Sequence, residues 1–305
     1  MIAILPVLLA GIGGPAGLAG GAAAAAAGGA AGDTLVVSTA WLAERLGRPG
    51  LVVFHVGDRA GYEAGHLPGA RHLAATVELS TPRVEGQLLL ELPSRTVLDS
   101  VLSAKGVAND SRVVLYSAGG QHTGTARALF TLEYAGLRGR VSVLDGGFEA
   151  WQREGRPVTR DVPVVAATRF ASRPDSSLVV DAAFVHSNLA SPAVRIIDAR
   201  DTSFYNGRET RQGRNGRIPG AGSFPFLEVT DSAGHFRPVP LLRAGLGGAG
   251  VKEGQTVVTY CHIGQQASLV WLAARLAGMT ARLYDGSFQD WARRTELPVE
   301  GERRP

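Results

Sequence analysis

Val113-Val114-Leu115-Tyr116-Ser117 and Val257-Val258-Thr259-Tyr260-Cys261 are one strand-like stretch written twice, and the reading of the whole chain works outward from that recurrence. Two more pairs recur in the same order. Asp145-Gly146-Gly147-Phe148-Glu149-Ala150-Trp151 answers Asp285-Gly286-Ser287-Phe288-Gln289-Asp290-Trp291, and Leu67-Pro68-Gly69-Ala70 answers Ile218-Pro219-Gly220-Ala221. Three matches in one order, about 140 to 150 residues apart, indicate a duplicated domain. A length of 305 residues with 45% hydrophobic content is enough for two cores. Each copy alternates short apolar runs (Leu51 to Val56; Val194 to Asp198) with Pro-Gly turns and helical stretches. That alternation predicts an α/β chain, each copy a mainly parallel central sheet flanked by helices on both faces. The organisation expected is a leader over 1–32, a first domain over 33–151, an extended linker over 152–177 carrying Pro157, Pro163 and Pro174, and a second domain over 178–305.

Cys261 is the only cysteine, which excludes an intramolecular disulfide and a cysteine-based metal cage. The histidines show no metal-ligand spacing. The sulfur stands between the run Thr256 to Tyr260 and a helix-like run from Ala267 to Ala277. At a helix N-terminus the backbone N–H groups of His262, Ile263, Gly264, Gln265 and Gln266 lack intrahelical partners, and the helix dipole adds positive potential. The position therefore predicts a reactive thiolate with a lowered pKa. Gly264 fits a loop whose amides curl inward, because that geometry needs φ > 0. The bland alternative is an inert thiol buried at the end of a core strand. Beyond the loop, Leu269, Val270, Leu272, Ala273, Leu276 and Ala277 fall on one helical face, and Gly278 is placed to end the helix. Open parallel sheets bind ligands beyond the carboxyl ends of their strands, where Cys261 falls, and the cleft between the copies is the expected pocket.

The net charge of +4 comes almost wholly from arginine, with lysine only at Lys105 and Lys252. Arg208, Arg211, Arg214 and Arg217 are the nearest approach to a basic stripe, but they lie in a Gly-rich segment without interleaved aromatics, so no nucleic-acid partner is expected. Residues 1–32 carry no charged side chain. Ile2 to Leu9 reads as a signal-peptide apolar core followed by small-residue cleavage sites, which predicts a periplasmic or secreted protein, a disordered cytoplasmic leader being the alternative. Pro6, Pro15 and many glycines argue against a stable membrane span there.

From Asp33 to the C-terminus the chain resembles the tandem rhodanese-domain sulfurtransferases. The resemblance rests on Asp198-Ala199-Arg200, Ile218-Pro219-Gly220-Ala221, the loop Cys261-His262-Ile263-Gly264-Gln265-Gln266, and Tyr284-Asp285-Gly286-Ser287-Phe288. It implies two rhodanese-like domains, of which the first is degenerate, with Ser117 in place of cysteine and His55-Val56-Gly57 in place of Asp-x-Arg. It implies catalysis by Cys261, with sulfane sulfur taken from thiosulfate, held as a persulfide among the loop amides, and passed to cyanide or a thiol, without metal or organic cofactor. The family alternatives are a 3-mercaptopyruvate sulfurtransferase and a sulfur carrier that does not turn over. Ile263 stands where mercaptopyruvate-type loops place a hydroxyl, which favours thiosulfate. Aligned on Gly207, Phe204 replaces one family arginine and Arg211 matches a second. Arg211 is thus a candidate donor contact, while Arg200 reads first as an ion pair bracing the strand end and second as a substrate contact. His66 is expected to pack the Leu67-Pro68 turn. Phosphatase relatives of the fold close a longer loop with an arginine; the sixth residue after Cys261 is Ala267, so no guanidinium grips a tetrahedral dianion.

Overall fold

A computed structural model of the chain describes residue 1 and residues 34–301. The expectations for the leader fall on residues outside that range. The described residues form two five-stranded sheets in which every pairing is parallel. The first runs β1 (Val36–Val37), β5 (Val141–Leu144), β4 (Arg112–Ser117), β2 (Leu51–Val56), β3 (Arg71–Leu73). The second repeats that order as β6 (Val179–Val180), β10 (Ala281–Tyr284), β9 (Thr256–Tyr260), β7 (Val194–Asp198), β8 (Gly222–Ser223). The duplication read from sequence is therefore a duplication of topology.

Each central strand is apolar on both faces because helices cover both. In β2 and β4, Val52, Phe54, Val113 and Leu115 face one core, while Val53, Val114 and Tyr116 face the other. In the second sheet Ile197, Val257 and Leu283 join the first of those cores, and Ile196, Val258 and Tyr260 form a third. One apolar core thus runs continuously between the two sheets. It is built largely around the helices that follow the two recurrent strands, His122–Leu132 and Gln265–Leu276. Phe130 meets Trp271 edge to face at 5.0 Å, and Arg275 pairs with the buried Glu133 at 2.8 Å. The second helix is consequently buried from Ala267 through Ala274, not along a single face. Sequence periodicity captures the face toward the sheet and misses the one toward the partner helix. Gly278, at φ +78°, ends that helix as expected.

Past the helix Gly147–Arg153 the chain forms no helix or strand before residue 176 and is bonded along the first domain. Thr159 bridges His66, and Phe170 and Ser172 bond Ser103 and Asp99 of the helix Arg95–Ala104. No helix among the described residues is long and apolar enough to cross a membrane.

Candidate active site

Cys261 lies one residue past the end of β9 and is fully buried. Gly264 takes φ +84° and stands as the N-cap of the helix Gln265–Leu276. Burial pushes the Cys261 thiol above its ordinary value, against the pull of the Ala267, Ile263, Gln266 and Gly264 amides. One expectation is corrected by this arrangement. The resting thiol is raised rather than lowered, because loss of water around the anion outweighs four backbone donors. The Ala267 amide, six residues past Cys261, adds to the donors of the loop.

The segment after β10 clasps this loop. Cys261 N–H donates to Ser287 Oγ at 3.2 Å, and the Ser287 hydroxyl donates to Tyr284 O at 2.9 Å. Phe288 N–H and Gln289 N–H donate to the carbonyls of Cys261 and His262, both at 3.0 Å. Ser287 holds φ +53°, unusual for a residue with a side chain, and the hydroxyl it brings to the cysteine amide accompanies that strain.

The other residues singled out in the sequence fall into two groups. Arg200 is buried and bidentate on Asp198, at 2.9 Å from Nε and 2.6 Å from Nη2, donates to Gly216 O, and lies 4.3 Å from the Phe288 ring centroid. Its guanidinium is committed to the strand end, together with the Tyr260 hydroxyl, which donates to Asp198 at 2.6 Å. His262 packs edge-on against Phe204 at 4.5 Å between ring centroids, and the exposed Arg211 stacks on the other partner of that pair, 5.2 Å from the Phe204 ring. His262 Nδ1 meets Gln212 Oε1 at 3.2 Å. Burial, with help from Arg200 and Arg211, lowers its pKa to about 4, so the imidazole is neutral near pH 7 and offers the thiol no ion pair. Gln266 Oε1 is buried without a partner. His66 is fully buried, stacked on Tyr62 and bonded to Tyr62 O at 2.8 Å, which is turn packing.

Gln265 reaches the first domain, donating to Thr123 Oγ1 at 3.3 Å. With Ile263 it lines a cavity of about 400 Å³ between the copies, whose opposite wall includes Leu89, Leu90, Gln121 and Arg83. Cys261 does not line it, lying beneath the loop. Sequence reasoning missed one buried charge beside this site. Arg127, in the helix His122–Leu132, donates to Asp285 Oδ1 at 2.5 Å, and both groups are almost wholly buried. The only signal was a lone arginine inside the small and apolar run Ala126 to Leu132.

The Rhodanese-like domain family matches residues 38–154 and again 181–294. A Pseudomonas aeruginosa protein described as "Probable 3-mercaptopyruvate sulfurtransferase" is 34% identical over 85% of this chain and 95% of its own. The thiosulfate sulfurtransferase of Corynebacterium glutamicum is 30% identical over 87% of this chain and 90% of its own. Among solved structures, the 3-mercaptopyruvate sulfurtransferase SseA of Escherichia coli superposes with a TM-score of 0.75 at 27% identity, covering 83% of this chain and 98% of that one. With the doubled sheet, the buried cysteine at a strand end and both family matches in hand, the chain belongs to the tandem rhodanese-domain sulfurtransferases of the thiosulfate and 3-mercaptopyruvate sulfurtransferase family.

Proposed function

We propose that the chain transfers sulfane sulfur from thiosulfate to a thiol or cyanide acceptor through a persulfide on Cys261. The observation that carries this reading is a single sulfur held by four loop amides with no arginine closing the loop. The Cys261 thiolate attacks the outer sulfur of thiosulfate; the S–S bond breaks and sulfite leaves with its electron pair. The acceptor nucleophile then attacks the outer sulfur of Cys–S–S⁻ and the cysteine leaves as thiolate, giving ping-pong kinetics. The amides stabilise negative charge on the inner sulfur in both steps. Deprotonation of the raised thiol, with its proton passing to solvent, is favoured by the positive end of the helix Gln265–Leu276 and by the loop amides.

Thiosulfate is preferred as donor because Ile263 offers no hydroxyl, and the Ser268 hydroxyl is bonded to Gly264 O at 2.8 Å. Arg200 and Arg127 are neutralised by carboxylates, whereas Arg211 is exposed and stacks on Phe204 beside the loop. An exported location, read from the uncharged leader, also favours thiosulfate over a product of cytosolic amino-acid metabolism. The mercaptopyruvate reading is favoured by the 34% identical Pseudomonas relative. A steady-state comparison of both donors with cyanide and a dithiol, with mass spectrometry for one added sulfur on Cys261, decides among these readings. Thiosulfate should give the higher kcat/KM; a higher value for mercaptopyruvate moves the assignment to that donor. Added sulfur with no turnover identifies a carrier. Arg211→Ala should raise the thiosulfate KM about two- to tenfold, an exposed charge contributing roughly 0.5–1.5 kcal/mol. An unchanged KM places Arg211 among the solvated loop residues.

A further inference from the structure

We propose that Arg127, a side chain of the degenerate first copy, is a positioning residue for the sulfur cradle of the second. The proposal rests on the reading of Cys261 as the sulfur-carrying residue. Arg127 Nη1 donates to Asp285 Oδ1 at 2.5 Å and Nη2 donates to Leu90 O. Asp285 Oδ2 in turn accepts from Leu92 N at 2.9 Å. One buried ion pair therefore fastens the first-domain segment Leu90 to Leu92, whose Leu90 lines the interdomain cavity, to the segment that clasps the cysteine. Leu90 is held at φ +59°, a costly conformation for leucine unless its surroundings fix it.

The pair also backs the cradle itself. A Cβ built on Gly264 would lie 3.0 Å from Arg127 Nη1 and 3.0 Å from Asp285 O. The guanidinium thus lies directly behind the residue whose positive φ turns the loop amides toward sulfur. Two residues on from Asp285, Ser287 takes the Cys261 amide. Motion of Asp285 would therefore reach the reacting atom through Gly264 on one side and Ser287 on the other.

Stability alone is a poor reason for this pair. A dry ion pair loses hydration on both partners, and apolar residues of similar volume often do as well. Arg127 Nε is moreover buried without a partner. The arrangement is also one-sided. The buried residues of the helix Gln265–Leu276 include no charge, and Asp145, which stands in the first copy where Asp285 stands in the second, is met by the partly exposed His235 at 2.9 Å. A buried cation is supplied to the copy that keeps its cysteine.

The test is Arg127→Met in the full chain, beside Arg127→Lys. Loss of the pair should lower kcat for sulfur transfer about 10- to 100-fold while the donor KM changes less than about threefold, because misplacement of reacting groups by ~1 Å has effects of that size. The midpoint of Cys261 alkylation against pH should move up by about half a unit or more as the amides lose their aim. Arg127→Lys keeps the charge on Asp285 and should recover most of both. Unchanged kcat and unchanged alkylation midpoint in Arg127→Met, with only a lower melting temperature, would overturn the proposal and leave Arg127 as an interface strut. If Arg127→Met lacks the wild-type circular dichroism, Asp285→Asn carries the same two readouts. A wild type that gains no sulfur from either donor refutes the functional reading instead, and the alkylation midpoints still decide the role of Arg127.

Discussion

The two copies share strand order, register and the tyrosine before the nucleophile position, yet they treat that position in opposite ways. In the second copy Tyr260 donates to Asp198 and receives the Ile218 amide at 3.1 Å; in the first, Tyr116 meets His55 Nδ1 at 3.1 Å and receives the Leu67 amide at 3.2 Å. His55 has thus taken the place of Asp198 without disturbing the network. Gly57 has taken the place of Arg200, and a Cβ there would come within 2.9 Å of His55 Nε2. The loops diverge further. Gly119 N–H, in the first copy, donates to Glu149 Oε1 at 2.8 Å, whereas Gln289 turns away from its own loop to exchange hydrogen bonds with Leu89. The first loop holds its own carboxylate, and Ser117 is bonded to His122 Nδ1 at 3.0 Å. A degenerate site can therefore be closed by internal partners while its fold stays intact.

The sharpest way to break this comparison is to exchange the nucleophiles. Cys261→Ser should reduce sulfur transfer to background, because oxygen cannot carry the persulfide, while Ser117→Ala should change it by less than about twofold. Adding Ser117→Cys to Cys261→Ser should leave the protein inactive, since Glu149 occupies the loop amide. Added sulfur on residue 117, seen by mass spectrometry, would show that the first loop is still a working cradle.

A smaller effect separates two glycines. Gly264 and Gly120 both have positive φ, but a Cβ on Gly120 meets nothing within 4 Å. Alanine at either should cost roughly 1–2 kcal/mol in stability. Only Gly264→Ala should also slow persulfide formation, by about tenfold or more, through displaced donors. In the wild type, alkylation of Cys261 should titrate above the ordinary thiol value, and Gly264→Ala should move it higher. A midpoint below that value would mean that the amides outweigh burial after all.

The smallest effect concerns His55. Burial, with the like charges of His72 and His66, lowers its pKa to about 4 from an ordinary 6.5. The unfolded chain then binds the proton that the folded one refuses. Stability is complete above about pH 6.5 and is lost as pH falls from there toward 4. His55→Gln should remove on the order of 1–2 kcal/mol of that acid loss, measured as urea midpoints at two pH values. His122 in the first copy and His262 in the second titrate in the same sense, so an acid loss unchanged in His55→Gln would assign it to those two histidines.

Much of the fold is legible in the residues themselves. The strands Leu51–Val56, Val194–Asp198 and Thr256–Tyr260 stand out with their bounds, because strands covered on both faces are unbroken apolar runs. The two-residue strands β1, β6 and β8 carry too little pattern to be seen. The chain's single cysteine and the glycine three residues on mark the loop and its positive φ, but a helix terminus says nothing about depth, so local pattern points the thiol shift in the wrong direction. The pairing of Arg127 is hidden from sequence reasoning for another reason: its partner is 158 residues away, and no local period connects them.

The core that runs continuously from one sheet to the other has an evolutionary meaning. A duplicated gene whose first half has lost its cysteine would ordinarily be free to shed that half. Here Phe130, Leu129 and Leu115 belong to the same apolar mass as Trp271, Leu269 and Val257, so excising the cysteine-free copy would expose the inner face of the cysteine-bearing one. The ancestral partner has become an inseparable part of its sibling, retained for what it covers.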